Sequence, residues 1–529
     1  MIFESKSSGK LGIVKDVASH ELSPDAWTDG RNIRFVDGSV QKMDGDSYVY
    51  SSSATAIGTT AYYVMPVRTD SEFFWTYAGT DAIYATDGST HSDISNGAYN
   101  MNSDRRWNGG FLQGLAFFNN GVDCPQVWVP GLTNNCVDLT YDSSASSTWS
   151  TVGIKADVLH SYKEFMIALA PTEAGTKNSR RLWFSHRADA GAMPQTWDYA
   201  KPAFDAGQIE LDDEPEPLIW AANLRDNIIL YKHSSAYRMF PLAAPHIFGT
   251  QRLFSSLGTI SRHCVAEWFG QHFVFGFNDV FVHDGQNATP ILKPAMRRWL
   301  SRNLNDDAYQ RCQVVPDYLN DEIWALFPYA GATENNMALV WNYREQTVTL
   351  RELDSQQSLF MSTGIIQSGS GGPKWSEIQT TYNEEDGRFS DSGYKQAKAG
   401  LLFSDGNDRL RAANSSQILA YDGTMTAYVE REALPLTNED GVYDTRKRKF
   451  IKNIFFRMEG SEDVTIKLGD QVRPDGPIAW TSYTFNPQTD YKLDCFLNSR
   501  MPALRIESTD TAQWTLHGFS VDYDLEGDR

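Results

Sequence analysis

The chain has 529 residues, 41% hydrophobic and 13% aromatic, with 47 Lys and Arg against 67 Asp and Glu for a formal net charge of −20. Length and aromatic content together exclude a dominantly disordered chain and allow about two to four domains. The acidic balance excludes a protein that grips nucleic acid by neutralising phosphates, but not one that lets DNA pass. Five cysteines are an odd number on so long a chain. They argue against a disulfide framework and for synthesis in a reducing cytoplasm. No window approaches the ~18 consecutive apolar residues of a membrane span, and the start MIFESKSSGKLG has no apolar region of the kind a Sec signal carries.

Residues 1–55 are polar and rich in Gly and Asp, with apolar anchors at Trp27, Ile33 and Phe35. They read as an N-terminal arm and docking segment. From 56 to 410, short apolar or alternating runs recur between turn residues: Phe73–Tyr77, Leu115–Phe118, Phe165–Leu169, Ile228–Tyr231, Phe273–Phe277, Ile323–Phe327 and Ala338–Trp341. Their lengths suit strands. The strongest, centred near Trp75, Phe117, Ile167, Ile229, Phe275 and Ala325, are spaced 42, 50, 62, 46 and 50 residues apart, and intervals of about 40–50 residues are what propeller blades produce. The expected fold is therefore all-β, a β-propeller of about six degenerate blades. Asp37-Gly38, Asp87-Gly88, Asp284-Gly285 and Asp405-Gly406 each follow an aromatic residue closely. Asp-Gly readily supplies positive φ, so the four copies predict the hairpin corners of a repeated unit.

Two stretches break the pattern. Pro294–Leu304 places Met296, Trp299, Leu300 and Leu304 at helical spacing, with Arg297, Arg298 and Arg302 mostly on another face. This predicts one amphipathic helix with Pro in its first turn. Gln367–Tyr394 is rich in Gly, Ser and charge and predicts a long functional loop. In 411–529, Val464, Ile466 and Leu468, then Phe519, Val521, Tyr523 and Leu525, alternate with polar residues. Such alternation predicts half-buried antiparallel strands in a C-terminal β-sandwich-like platform domain.

The expected chemistry is sparse. The ten His lie far apart, and His263-Cys264 with His272 and His283 falls on predicted strands at mixed parity, as ordinary sheet positions rather than metal ligands. No phosphate-binding GxxxxGK[ST] loop and no GxSxG nucleophile elbow occurs. Asp212, Asp213, Glu214 and Glu216 crowd before a strand, but adjacency in sequence does not set the separation a glycosidase needs. No catalytic residue, metal site or cofactor is expected. Arg446, Lys447, Arg448 and Lys449 form the densest basic run, a candidate contact for phosphate or acidic neighbours, or else a guarded strand edge.

Longer motifs carry a resemblance. Gly12-Ile13-Val14-Lys15-Asp16, His20-Glu21-Leu22, Ala26 to Phe35 and Asp37-Gly38 are followed by Val122 to Trp128, Pro194, Trp197-Asp198, Leu224-Arg225-Asp226, Phe277 to Gly285, Glu322-Ile323-Trp324 and Val340-Trp341-Asn342. In this order, over most of residues 10–350, the chain resembles the tail nozzle or hub β-propeller proteins of short-tailed bacteriophages, some known as packaged-DNA stabilisation proteins.

The resemblance implies a structural virion protein assembled in the bacterial cytoplasm. It implies a homo-hexameric ring below the tail adaptor that continues the DNA channel. Such a ring retains packaged DNA until ejection and anchors tail fibres or a distal needle. On this reading Trp27, Arg31, Asn32, Arg34 and Phe35 dock the arm on the adaptor or adjacent subunits, and an arm deletion leaves a soluble propeller. Glu384, Glu385 and Asp386 become a candidate acidic gate or lumen loop, and the −20 charge becomes a wall to which passing DNA does not adhere. The rival readings are a glycan-binding or glycan-cleaving propeller and a scaffold for protein partners.

Overall fold

The structure, a computed structural model, describes all residues except 52–55, 70–71, 103–105, 244–245, 278, 354–357, 367–398, 415–424, 438–442, 474–475, 510–511 and 527–529. Strand-forming runs dominate the described residues, and antiparallel pairing is the rule among them, so the chain is all-β.

Seven sheets of four or five strands follow one another along the chain, with a small two-stranded sheet of Thr140–Asp142 and Ser147–Thr148 between the second and third. Their first strands are Tyr63–Arg68 (sheet 1), Asn108–Leu112 (sheet 2), Lys155–Tyr162 (sheet 3), Trp220–Leu224 (sheet 4), Val265–Trp268 (sheet 5), Gln313–Asp317 (sheet 6) and Ser358–Ile365 (sheet 7). Sheets 1, 2, 4, 5 and 6 each have four strands in sequence order, and sheet 3 adds a short fifth. The first strand of each sheet lies beside the first strand of the next, and Ser358–Ile365 lies beside Tyr63–Arg68. Sheet 7 takes its fourth strand, Ser47–Tyr48, from the start of the chain.

The cores between sheets are aromatic. Trp75, Trp107, Trp128, Trp149, Trp183, Trp197 and Trp324 are almost wholly buried. At 150–250 Å² per large ring, each contributes about 4–6 kcal/mol of transfer free energy, which ordering entropy then offsets.

The turn chemistry differs from the expected repeat. Asp87-Gly88 and Asp284-Gly285 occupy equivalent corners, between the third and fourth strands of sheets 1 and 5. There the Asp carboxylate accepts two backbone N–H groups two and three residues on. Asp405-Gly406 instead joins the second and third strands of sheet 7, and Asp37-Gly38 closes a hairpin outside the seven sheets. The corner that does recur joins first and second strands. It is a two-residue turn at Gln113-Gly114, Lys163-Glu164, Arg225-Asp226 and Phe269-Gly270, with φ of the leading residue at 51°, 54°, 54° and 44°. Pairing across the sheets forces the left-handed conformation on residues that carry no turn signature.

The helix forms as expected over Pro294–Asn303, with Pro in the first turn and Met296 and Leu300 buried. Arg298 and Arg302 reach the Asp16 carboxylate on its exposed side.

Two further sheets use both chain ends. Sheet 8 runs Ile33–Val36, Ser39–Lys42, Trp514–Glu526, Arg448–Gly460, Leu493–Ser499, with Ile2–Ser5 also on Trp514–Glu526. Sheet 9 runs Asp29–Arg31, Ala427–Arg431, Ala503–Ser508, Val464–Asp470, Ala479–Phe485. Val464, Ile466, Leu468, Phe519, Val521 and Tyr523 enter a shared core with Ile33, Phe35 and Val40, and the same core reaches Phe273 and Trp341 of sheets 5 and 6. Among the described residues of 1–55, the apolar anchors Trp27, Ile33 and Phe35 complete this core and Ser47–Tyr48 joins sheet 7. The boundary drawn at 411 also falls inside Leu410–Ala413, a strand of sheet 7.

Candidate functional site

The residues expected to dock other subunits converge inside this chain. Trp27 is 3% exposed, its indole N–H donates to the Ser8 carbonyl at 2.5 Å, and its ring lies 6.2 Å from Phe519. Phe35 is 1% exposed in the same core. Arg31 is half-buried, ion-paired to Glu352 at 3.3 Å and lying over the Tyr329 ring. Arg34 pairs with the buried Glu322 at 3.2 Å and donates to Asn320 Oδ1 at 2.8 Å. Burial pushes the Glu322 carboxyl upward, and the Arg34 charge opposes that shift.

Asn32 sits at φ 57° between three elements. Its side-chain amide donates to the Thr426 carbonyl at 2.8 Å, and its Oδ1 accepts the Glu352 N–H at 2.8 Å. Its backbone N–H donates to Leu350, and its carbonyl accepts from Met43. Asn tolerates the left-handed region and fills all these partners at once. The five residues therefore form an intramolecular joint between sheet 6 and sheets 8 and 9. Trp27 and Phe35 are committed to the core and Arg34 to a buried pair, whereas Arg31 and its partner Glu352 keep part of their surface exposed. Arg351 and Asp46, a pair at 3.1 Å with side chains 1% and 3% exposed, extend the joint toward Ser47–Tyr48.

The basic run divides in the same way. Arg446 is exposed and pairs with Asp444 at 3.2 Å, whereas Lys449 is wholly buried. The Lys449 ammonium donates to the carbonyls of Asp444 and Arg500 at 2.6 and 2.7 Å and lies 4.4 Å from the Tyr443 ring centre. Burial pushes its pKa down to about 8. Arg448 is half-buried and donates to the Asn498 carbonyl. The run is therefore no continuous basic surface; one of its charges fastens a strand start. Glu384, Glu385 and Asp386 lie outside the described residues.

In the acidic group before sheet 4, three of the four members have partners within the chain. Asp212 pairs with Arg180, Glu214 with Arg252, and Glu216 accepts the Ser234 N–H. The carbonyls of Leu211 and Glu214 hold the buried Lys232 ammonium.

His272 and His283 face each other across adjacent strands of sheet 5, with the Tyr231 hydroxyl of sheet 4 between them at 2.7 and 2.6 Å. The remaining contacts fix the protons. His272 Nε2 faces the Asn223 carbonyl at 2.8 Å and must donate, so its Nδ1 accepts the Tyr231 proton. His283 Nδ1 accepts the Gly285 N–H at 3.2 Å, so its Nε2–H donates to the Tyr231 oxygen. Every donor has one acceptor only while both rings are neutral. Burial pushes His272 down to about 4 and His283 to about 3. Sequence reasoning placed these histidines on strands but missed Tyr231, whose partners lie 41 and 52 residues away.

Where the first strands meet, an opening of about 400 Å³ is lined by Tyr63, Trp220, His263, Gln313 and Phe360. His263 donates to the Trp107 carbonyl at 2.9 Å and contacts Trp220 and Phe360 ring to ring. Burial drives it down to about 3, which keeps the ring neutral near pH 7. Among the described residues no three His, Cys, Asp or Glu side chains assemble in a metal-binding group.

No family model and no curated protein matches the chain. Among solved structures, the AfRom2 CNH domain is similar at a TM-score of 0.37 and 9% identity, covering 70% of this chain and 98% of that one.

Proposed function

We propose that this chain is a structural subunit of a short-tailed bacteriophage tail, of the nozzle or hub type. In this reading the seven sheets are the blades of a closed β-propeller, seven rather than about six. The first strands surround the axis, and Ser47–Tyr48 completes the last blade. Sheets 8 and 9 form the C-terminal sandwich.

The observation that carries the reading is the use made of Gly12–Gly38, the stretch with the fullest family resemblance. Its residues join sheet 6 to the sandwich through Asn32, the Arg34–Glu322 pair and the Trp27–Phe35 core. A subunit that transmits force along a tail needs two domains coupled without slack, and buried pairs with shared cores provide that. The tryptophans support it too: none of those described is exposed, whereas a sugar platform needs rings facing solvent.

The reading extends to a ring of six copies below an adaptor, carrying fibres or a needle and admitting double-stranded DNA. With −20 on each copy, such a ring repels the DNA backbone and disfavours lasting contact. Negative-stain imaging of the purified chain, alone and with its adaptor, tests the proposal. Rings are the expected result. Isolated subunits in both samples, together with soluble oligosaccharide released from host envelope polysaccharide, would replace it with the glycan-cleaving propeller.

A further inference from the structure

Sheet edges expose unpaired backbone N–H and C=O groups, and soluble proteins usually guard them with short strands, charges, proline or cover. Among the described residues, nearly every outer edge follows that rule. The fourth strands of sheets 1, 2 and 7 have two or three residues, and that of sheet 5 ends in Pro290. Those of sheets 3 and 4 carry Glu210 and Arg252, and that of sheet 6 is covered by backbone bonds from Ile13 and Asn32. In sheet 8, Leu493–Ser499 carries Asp494, and Ile33–Val36 carries Arg34. The first edge of sheet 9, Asp29–Arg31, is short and charged.

Among the described strands, Ala479–Phe485 is an exception. It has seven residues, Ala-Trp-Thr-Ser-Tyr-Thr-Phe, with no charge and no proline. All seven pair in unbroken register with Val464–Asp470, and among the described residues no strand pairs with the other side. Ala479, Thr481, Ser482 and Thr484 are exposed, so both faces of the strand stand partly clear of the core. Its composition favours strand pairing.

We propose that Ala479–Phe485 is a docking edge to which an extended segment of a partner protein adds as a sixth strand of sheet 9. The free backbone groups call for an extended polypeptide. Local charge indicates which kind: the exposed Asp463 and Asp490 are both bonded to Asn486, beside the Phe485 end. The fitting segment is an uncharged β-forming stretch with Lys or Arg at that end. A second copy fits less well, because antiparallel addition of its own Ala479–Phe485 would bring the uncharged Gly476-Pro477-Ile478 to the Phe485 end. The inference does not depend on the virion role.

The test uses the full chain and a fluorescein-labelled ten-residue peptide of alternating Thr and Val with two Lys at one end, compared with the same peptide bearing Glu. Fluorescence anisotropy should show the Lys peptide binding at least threefold more tightly than the Glu peptide. Hydrogen exchange should slow within 479–485. Ser482→Lys, which guards the edge without entering the core, should weaken binding at least tenfold while leaving the near-ultraviolet circular dichroism unchanged. No binding of either peptide, protection only elsewhere, or equal binding to the variant would overturn the proposal. A concentration-dependent dimer in sedimentation that Ser482→Lys abolishes would assign the edge to a second copy and overturn the partner assignment.

Discussion

Sheets 1–6 and sheets 8–9 are both antiparallel and similarly rich in buried apolar residues, but the chain builds them in opposite ways. Each of sheets 1–6 is assembled from strands consecutive along the chain, mostly through short connections, Phe184 to Gly207 in sheet 3 being the long one, so most of its contacts are local. Sheets 8 and 9 draw strands from residues 2–42 and 427–526, with Ile2 opposite Asp522. Closing so long a loop delays folding more than it reduces final stability. The pairing of the two ends teaches that the N-terminal segment is part of the C-terminal core, held by contacts that close the longest loops in the chain. It fastens sheets 6 and 7 to that core on its way.

The strongest way to break this comparison is to remove residues 1–42. That takes away Trp27, Ile33, Phe35 and Val40, and large-to-small losses at single aromatic sites already cost about 3–5 kcal/mol each. The sum approaches the whole stability of a domain, about 5–15 kcal/mol. Limited proteolysis and hydrogen exchange should find 427–526 unprotected while sheets 2–5 stay protected. A soluble chain with full protection in both regions would contradict this.

Next in size is Asp46→Ala, which leaves Arg351 buried without its carboxylate partner. A loss of about 3–5 kcal/mol is expected in denaturant unfolding. Replacing both residues with apolar ones should recover most of it. Asn32→Ala should cost about 2–3 kcal/mol, from lost side-chain bonds and a left-handed backbone. The loss should appear as faster exchange in both sheet 6 and sheet 9, since Asn32 bridges them.

The smallest effect sharpens the other side, the seam between sheets 4 and 5. Tyr231→Phe leaves His272 Nδ1 and His283 Nε2 without their partner and should cost about 1–3 kcal/mol at pH 8. The pH dependence has a definite sign. His272 and His283 are held below their ordinary 6.5, at about 4 and about 3, so the unfolded chain binds more protons as acid is added. Their contribution is complete above about pH 6.5 and is lost as pH falls through about 4 and then 3. His160 and His263, also depressed by burial, act in the same direction. Calorimetric Tm should fall across this window, and His272→Gln should flatten the slope.

The all-β class, the Pro294 helix and the alternating C-terminal strands were legible in sequence because period and turn residues act locally. The Asp-Gly corners misled, because Asp37, Asp87, Asp284 and Asp405 obey one local rule at three different positions in the sheets. The corner that does recur was invisible: strand pairing, not composition, puts Lys163 and Arg225 at positive φ. The basic run misled for a related reason, since charge density along the chain does not reveal that Lys449 points inward.

Composition by itself determined an acidic chain with enough aromatic surface for several cores and with strand-length apolar runs, because burial and periodicity are properties of neighbouring residues. Only the tertiary structure decided that Trp27–Phe35 complete a core hundreds of residues away, that Tyr231 joins two histidines, and that Ala479–Phe485 is left as an unguarded edge. Each of these depends on which distant strands pair, and pairing is fixed by closing long loops over shared apolar faces, which no local pattern encodes.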